Sequence, residues 1–385
     1  MKRPIIAFGG NIWDAHWQTR QHVLSRLASR GWPVVYSTGP FFVWDRFGER
    51  WNGARWCDRW ETLDGVRVYW SGRWQMRWPR VPAWDRWIVR HHARSLREIV
   101  NVADDVRPIV YLFRPSFLPY VSAIGPSATV YHADDTFSLM GHWSDDVAAA
   151  ERALVAHADL VLASSRRIAA ALPGGGTVRV MPNGADVAAF ASAAQSPCPD
   201  DLAVIPHPRV AYAGFLNEKV DFRLVYDIAR ERPSWHWILI GPEVGAPYLS
   251  PSNAGDRTRC ASLPNVHFLG SKPHTDVPRY LQNVDVNVMC YRTSEGGWWT
   301  DIYPLKLHEY LAVGKPVVAS DIDAVREFSA VVAIAATTKD WIAALTKAIE
   351  GTGVGNVAER QLVAGMNSWD ERVDTLERWF EALPP

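Results

Sequence analysis

Residues 301–319 read DIYPLKLHEYLAVGKPVVA, and this stretch decides how the second half of the chain folds. Pro304 stands where a helix would begin, a place that suits its fixed φ and missing N–H. The string predicts a helix over Lys306–Ala312, ended by Gly314, with Lys315-Pro316 launching the next strand, Pro316–Ala319. At the mouth of such a helix the backbone N–H groups of Leu305 and Lys306 sit at its positive end, a ready anion site. The Lys306 side chain adds a cation in the same turn. Glu309, three residues on, shares that helical face one turn deeper. A diphosphate at the helix mouth would bring an attached ribose within reach of its carboxylate. A solvated amphipathic helix also carries such Lys–Glu pairs, so the pair alone leaves both readings open.

The same half has further strands, each closed by glycine. Val210–Ala213 ends at Gly214, Trp237–Ile240 at Gly241-Pro242 and Val266–Leu269 at Gly270, with helix Phe222–Arg230 after the first. Helix Asp276–Gln282 and strand Val284–Met289 lead into the quoted stretch. The first half shares the grammar: strands Ile5–Phe8, Val34–Tyr36, Ile109–Phe113, Ala128–Tyr131, Leu160–Ala163 and Val178–Met181, with helices Trp17–Arg30, Arg86–Asn101 and Asp145–Ala158. Alternation of this kind argues an α/β chain with parallel sheets. Residues 191–208 (ASAAQSPCPDDLAVIPHP) are small, polar and Pro-rich, and read as a linker. The expected division is a first domain over 1–190, the linker 191–208, a second domain over 209–366 and a closing segment 367–385. That segment's helix, Asp370–Leu383, has amphipathic spacing in Val373, Leu376, Trp379, Phe380 and Leu383. Residues 41–82, dense in Trp, Arg, Gly and Pro, read as an irregular excursion.

The chain has 385 residues, 48% hydrophobic and 21% charged, which suits two globular domains and argues against disorder. No apolar run approaches the ~18 residues needed to span a bilayer. The start, basic and then briefly apolar, runs straight into a strand and a Gly turn, which reads as a cytosolic N-terminus. Cys57, Cys198, Cys260 and Cys290 are too scattered for a disulfide framework or a zinc site. Net charge is zero, yet residues 1–97 hold 17 Lys and Arg against 7 Asp and Glu, with 12 of the 20 tryptophans. That surplus of ten positive charges suggests an anionic amphipathic partner, a membrane surface or a lipid phosphate, with Arg73, Trp74, Arg77 and Trp78 expected to contribute; otherwise the tryptophans are core or acceptor-site residues. Nucleic acid is disfavoured, because the basic residues are interleaved with tryptophan on one third only.

The quoted string resembles the donor-site helix of GT-B glycosyltransferases of the bacterial polysaccharide type, in the form Pro-Leu-Lys-x-x-Glu-Tyr-Leu-Ala-x-Gly-Lys-Pro-Val-Val. Tyr212–Asp221 (YAGFLNEKVD), Ile238–Pro242 (ILIGP), Leu263–Lys272 (LPNVHFLGSK) and Asp285–Tyr291 (DVNVMCY) are similar to the strands and loops around it. In the first half so are Tyr131–Asp135, Glu151, Asp159, Ser164-Ser165, Pro182–Asp186 and Phe190, and near the end Trp369. The likeness covers most of the chain except residues 41–105. It implies two Rossmann-like domains facing across a cleft, with the C-terminal helix crossing back to the first. It also implies transfer of a sugar from a nucleoside diphosphate sugar to a hydroxyl of a lipid-linked saccharide or polysaccharide, without a cofactor or obligatory metal. Such an enzyme would be cytoplasmic, at most peripheral on the inner face of the membrane. By the resemblance Gly214 admits the diphosphate, Lys306 pairs with it, Glu309 takes the ribose hydroxyls, and the loops at Gly241 and Lys272 border the base. Lys219 either reaches phosphate or is a solvated lysine. Retaining members carry two glutamates with seven residues between them; here the second is Glu309 but the first is Asp301, which puts retention in doubt.

On the acceptor side, Gly9-Gly10 makes a tight turn after the first strand, but not a dinucleotide fingerprint. Trp13, Asp14, His16 and Trp17 follow, suited either to stacking on a sugar or to a core. His132, Asp134 and Asp135 come after Ala128–Tyr131, at the strand's carboxyl end, where open α/β sheets place ligands. Val130–Asp135 is similar to the segment carrying the catalytic aspartate of a xanthan-type glucuronosyltransferase, which falls on Asp135. Two rivals remain: a sugar-nucleotide epimerase of the same fold, and a non-catalytic nucleotide-sugar-binding subunit.

Overall fold

The computed structural model describes all residues except 1, 14–16, 101–105, 140–143, 175, 244–248, 294–296 and 385, and omits the side chains of residues 49 and 194. The chain forms two compact units, residues 1–182 with 372–385, and residues 183–371.

The first unit is built on β1 (Ile5–Phe8), β2 (Val34–Ser37), β3 (Phe41–Phe42), β4 (Arg59–Leu63), β5 (Val66–Trp70), β6 (Met76–Arg77), β7 (Ile109–Leu112), β8 (Ala128–Ala133), β9 (Leu160–Ala163) and β10 (Val178–Val180). Eight of these make one sheet in the order β10-β9-β8-β7-β1-β2-β5-β4, and β3 pairs with β6. All pairs in the large sheet are parallel except β4 with β5. The central strands are uninterrupted apolar runs because both faces are covered; Ile6, Phe8, Val110, Leu112 and Tyr131 are fully buried in one core. Order reverses between β1 and β7, so the switch point lies at Gly9 and Phe113.

The stretch read as an irregular excursion is partly regular. Residues 59–70 form a β-hairpin whose second strand joins the main sheet beside β2. Its turn, Asp64-Gly65, has φ of 50° and 80°, the positive values a two-residue hairpin turn requires. An Asp-Gly pair between Trp60-Glu61-Thr62-Leu63 and Val66-Arg67-Val68-Tyr69 was the available signal. The helix Trp369–Glu381 ends the described chain, and its residues from 372 onward belong to the first unit. There Val373, Leu376 and Phe380 are buried. Glu377 takes bonds from Lys2 (2.5 Å), Trp32 Nε1 (2.6 Å) and Arg30 (2.8 Å).

The second unit has β11 (Arg209–Ala213), β12 (His236–Ile240), β13 (Val266–Gly270), β14 (Val286–Met289), β15 (Val317–Ser320) and β16 (Ala333–Ala335). They form one sheet in the order β13-β12-β11-β14-β15-β16, parallel throughout. Its switch point lies between β11 and β14, where ligands of such sheets bind. The division differs from the expected one at residues 183–208. Phe190, Leu202 and Ile205 are buried in the second unit's core, and short helices occupy Val187–Ala191 and Asp200–Ala203. The Pro-rich composition that suggested a linker does not free this stretch from the core.

Candidate functional site

Three adjacent strands of the second unit end at the same edge in glycine. Gly214 and Gly241 have φ of +141° and +137°, a region costly for residues with a Cβ. Gly214 N–H donates to Ile240 O (2.8 Å) and Gly241 N–H to Gly270 O (2.9 Å), so the turns stack across the sheet. A Cβ on Gly241 would lie 2.2 Å from Gly214 O, and one on Gly214 would lie 2.7 Å from Lys306 Nζ. The absent side chain at Gly214 leaves room beside the Lys306 ammonium, and that at Gly241 lets the two turns stack.

Lys306 is the first residue of the helix Lys306–Val313, with Leu305 as its N-cap and Gly314 at its left-handed C-cap. Leu307 N–H already closes onto Pro304 O. One turn along, Tyr310 Oη accepts from Ala213 N–H (2.8 Å), which ties the helix start to the end of β11. The Lys306 side chain is buried, 7% exposed. Its Nζ donates to Tyr291 Oη (3.0 Å) and Tyr212 Oη (3.3 Å). Among the described residues no carboxylate pairs with it. Burial pulls its pKa well below the ordinary lysine range, and nearby Lys219 pushes the same way against Glu309. Lys219 lies with its ammonium 5.6 Å from the Tyr291 ring and 5.9 Å from that of Trp298.

Glu309 lies beside His274, Oε1 to Nε2 3.7 Å, and this neighbouring carboxylate raises the imidazole pKa above the ordinary value. Asp301 is half-buried at the end of the 3-10 turn Trp298–Thr300 and takes a bond from Thr300 Oγ1 (3.3 Å). Lys272 stands apart in character. Its ammonium pairs with Asp201 (2.7 Å), which also accepts from Tyr280 Oη (2.7 Å). The structure thus brings Gly214, Gly241 and Lys306 together, with Lys219 close by. The sequence reading missed the Tyr212, Tyr291 and Tyr310 phenols that surround them. Tyr212 and Tyr291 each lie within two residues of a strand end at this edge, and that placement was the available signal.

In the first unit the carboxyl edge is equally close-packed. A Cβ on Gly9 would meet Tyr36 Oη at 2.7 Å, and one on Gly10 would meet Arg114 Nε at 2.3 Å. Two acceptor-side expectations fail. Trp13 is 2% exposed, with Nε1 bonded to Asp64 Oδ2 (3.0 Å) and its ring against Tyr36; it fills core and offers no face to a sugar. His132 lies inside β8, which runs two residues longer than expected, and is fully buried. Its Nδ1 meets Tyr111 Oη (2.9 Å), and burial lowers its pKa to about 4. Asp134 pairs with the buried Arg20 (3.1 Å). Asp135, half-buried, follows just past the strand end. Asp14 and His16 lie outside the described residues.

Residues 207–352 match the family described as glycosyl transferases group 1. That match lies wholly within the second unit. A putative teichuronic acid biosynthesis glycosyltransferase, TuaH of Bacillus subtilis strain 168, is 29% identical over 147 residues, 38% of this chain and 34% of that relative. The chain thus aligns with about a third of the relative's length. Among solved structures, Anabaena HepE in complex with UDP and glucose superposes with a TM-score of 0.71 at 16% identity, covering 99% of this chain and all of the other. Sucrose-phosphate synthase from Thermosynechococcus elongatus gives 0.69 at 15% identity, with 99% of each chain covered. At these identities the likeness establishes the fold, which is GT-B. The matched span begins within the stretch read as a linker and contains the Gly214, Gly241 and Lys306 cluster.

Proposed function

We propose that the chain transfers a sugar from a nucleoside diphosphate sugar to a hydroxyl of a lipid-linked saccharide or polysaccharide. One observation carries this reading. Lys306 is buried against the Gly214 turn at the sheet's switch point, with phenols but no carboxylate as described partners. A buried cation without a counter-ion is costly, and a diphosphate entering past Gly214 supplies the missing charge. Lys219 adds a second cation to that pyrophosphate, so no metal is required to neutralise the leaving group. Glu309 accepts from the ribose hydroxyls, and Asp301 faces the sugar on a shorter arm than the glutamate of retaining relatives. Uridine is the first base to try, because HepE holds UDP.

In the step itself the acceptor oxygen bonds to the anomeric carbon as the bond to the diphosphate oxygen breaks. The acceptor's proton goes to a carboxylate, which we assign to Asp135 in an inverting reaction. The enzyme works at the inner face of the cytoplasmic membrane, where lipid-linked acceptors are held. A screen of nucleotide sugars by thermal stabilisation tests the donor site, since a ligand at ~100 times its Kd adds roughly 2.7 kcal/mol. Stabilisation by UDP or a UDP sugar, lost in Lys306→Ala, is expected. No stabilisation by any nucleoside diphosphate sugar overturns the reading.

A further inference from the structure

Part of the basic, tryptophan-rich third of the sequence forms one defined surface, distinct from the exposed Trp44, Trp56 and Trp60. Trp78, Trp84 and Trp87 are 45%, 41% and 48% exposed, within ten residues of chain. The helix Pro82–Ile99 buries Ile88, Val89, His92, Ala93 and Leu96 against the first unit. Its opposite face, through Trp87, Arg90 and Arg94, is left to solvent. Trp84 and Trp87 lie with ring centroids 5.2 Å apart, and Trp84 Nε1 donates to Met76 O (2.8 Å). That bond holds an indole at the surface instead of letting it fold into the core.

Charge on this surface is one-sided. Arg80, Arg90 and Arg94 are exposed, and none makes an ion pair among the described residues. Of the helix's two carboxylates, Asp85 is taken inward by Arg77 (2.7 Å); Glu98, one turn beyond Arg94, is the other. This pairing moves the surface away from the residues expected from sequence. Arg77 is buried, while Arg73 is bonded to Asn52 O (2.6 Å) and Trp74 to Asp58 (3.4 Å). Only Trp78 of that foursome faces outward.

We propose that residues 78–81 and the outer face of the helix Pro82–Ile99 dock the protein on an anionic lipid bilayer. Indoles with one apolar and one polar edge settle at headgroup depth, and arginines beside them meet the negative surface potential. No described helix is long and apolar enough to cross a membrane, so this contact lies in the interfacial plane. The inference concerns the first unit's surface and is independent of the proposed sugar transfer.

The test sediments the full chain, without donor, with vesicles of phosphatidylcholine alone or with about a third phosphatidylglycerol, at low and high salt. Binding to the anionic vesicles that weakens with salt is expected. Each basic residue near such a surface is worth about 1 kcal/mol, roughly fivefold. Combined Arg80→Gln, Arg90→Gln and Arg94→Gln should therefore cost on the order of a hundredfold, while the Arg→Lys set at the same positions stays within a few-fold. Trp78→Ala with Trp84→Ala and Trp87→Ala should remove the part of binding that survives salt. A thermal melt of each variant reports folding, and the Lys set carries the test if the Gln set unfolds. Protein left in the supernatant, equal binding to neutral vesicles, or displacement by free glycerol phosphate or a soluble anionic glycan overturns the proposal.

Discussion

Both units place a buried cation at the carboxyl edge of a parallel sheet, yet the two cations are treated differently. In the first unit, Arg20 lies beneath Gly9 and has its charge answered by Asp134 at 3.1 Å. In the second, Lys306 lies beneath Gly214 and meets two phenols. A phenol accepts a hydrogen bond but does not neutralise a charge, so holding Lys306 as an ammonium costs desolvation until an anion arrives. The same sheet geometry thus holds a buried cation balanced by a carboxylate at one unit's edge and a buried cation without one at the other's. The lesson concerns where to look: an ionisable group beside an open turn whose partners leave its charge standing is a candidate ligand site.

Four experiments would break or sharpen that contrast. The largest effect falls on the balanced edge. Asp135→Asn keeps size but removes the basic lone pairs, so an inverting transfer should drop by ~10²–10⁴ while donor binding persists. The anomeric configuration of the product, read by NMR on the same preparation, decides the role; a retained anomer or near-normal turnover removes Asp135 from it.

Next is Lys306→Ala, which takes away one preorganised charge and should raise the barrier by ~2–4 kcal/mol. If kcat and donor affinity both stay normal, Lys306 is merely a buried lysine and the contrast between the units fails.

The third test is pH. Burial depresses the Lys306 pKa in the ligand-free protein, and a bound diphosphate would raise it again. Donor binding should therefore take up protons, and affinity should fall as pH rises above the depressed value. Calorimetry in buffers of different ionisation enthalpy measures the uptake, and Lys306→Met should abolish it. Binding without proton linkage would place the diphosphate elsewhere.

The smallest effect concerns the terminal helix. Burial opposes ionisation of Glu377, but bonds from Lys2, Trp32 and Arg30 prevail and lower its pKa to about 2. A depressed carboxyl pKa gives stability that is present above the unfolded value, ~4.3, and is lost as pH falls through about 2. The melting-temperature gap between wild type and Glu377→Gln should be constant above pH ~4.5 and close in that window. A gap independent of pH would mean the residue acts through packing alone.

By itself the sequence determined the repeated strand–helix alternation, the glycines closing β11, β12 and β13, and the helix that begins at Lys306. These are local matters. Periodicity, the φ values only glycine tolerates, and the missing N–H of proline act within a few residues, so the string records them. It also carried an Asp-Gly hairpin signal at residues 64–65 that the surrounding Trp and Arg density obscured. Only the tertiary structure decided that residues 183–208 pack into the second core, because burial of Leu202 and Ile205 depends on surfaces far along the chain. It decided that Trp13 and His132 are interior, since a strand two residues longer than expected buries His132 where a loop would have exposed it. It decided too that Lys306 faces Tyr212 and Tyr291, residues 94 and 15 positions away. Charge compensation between distant segments is a property of the packed sheet, and no spacing in the sequence encodes it.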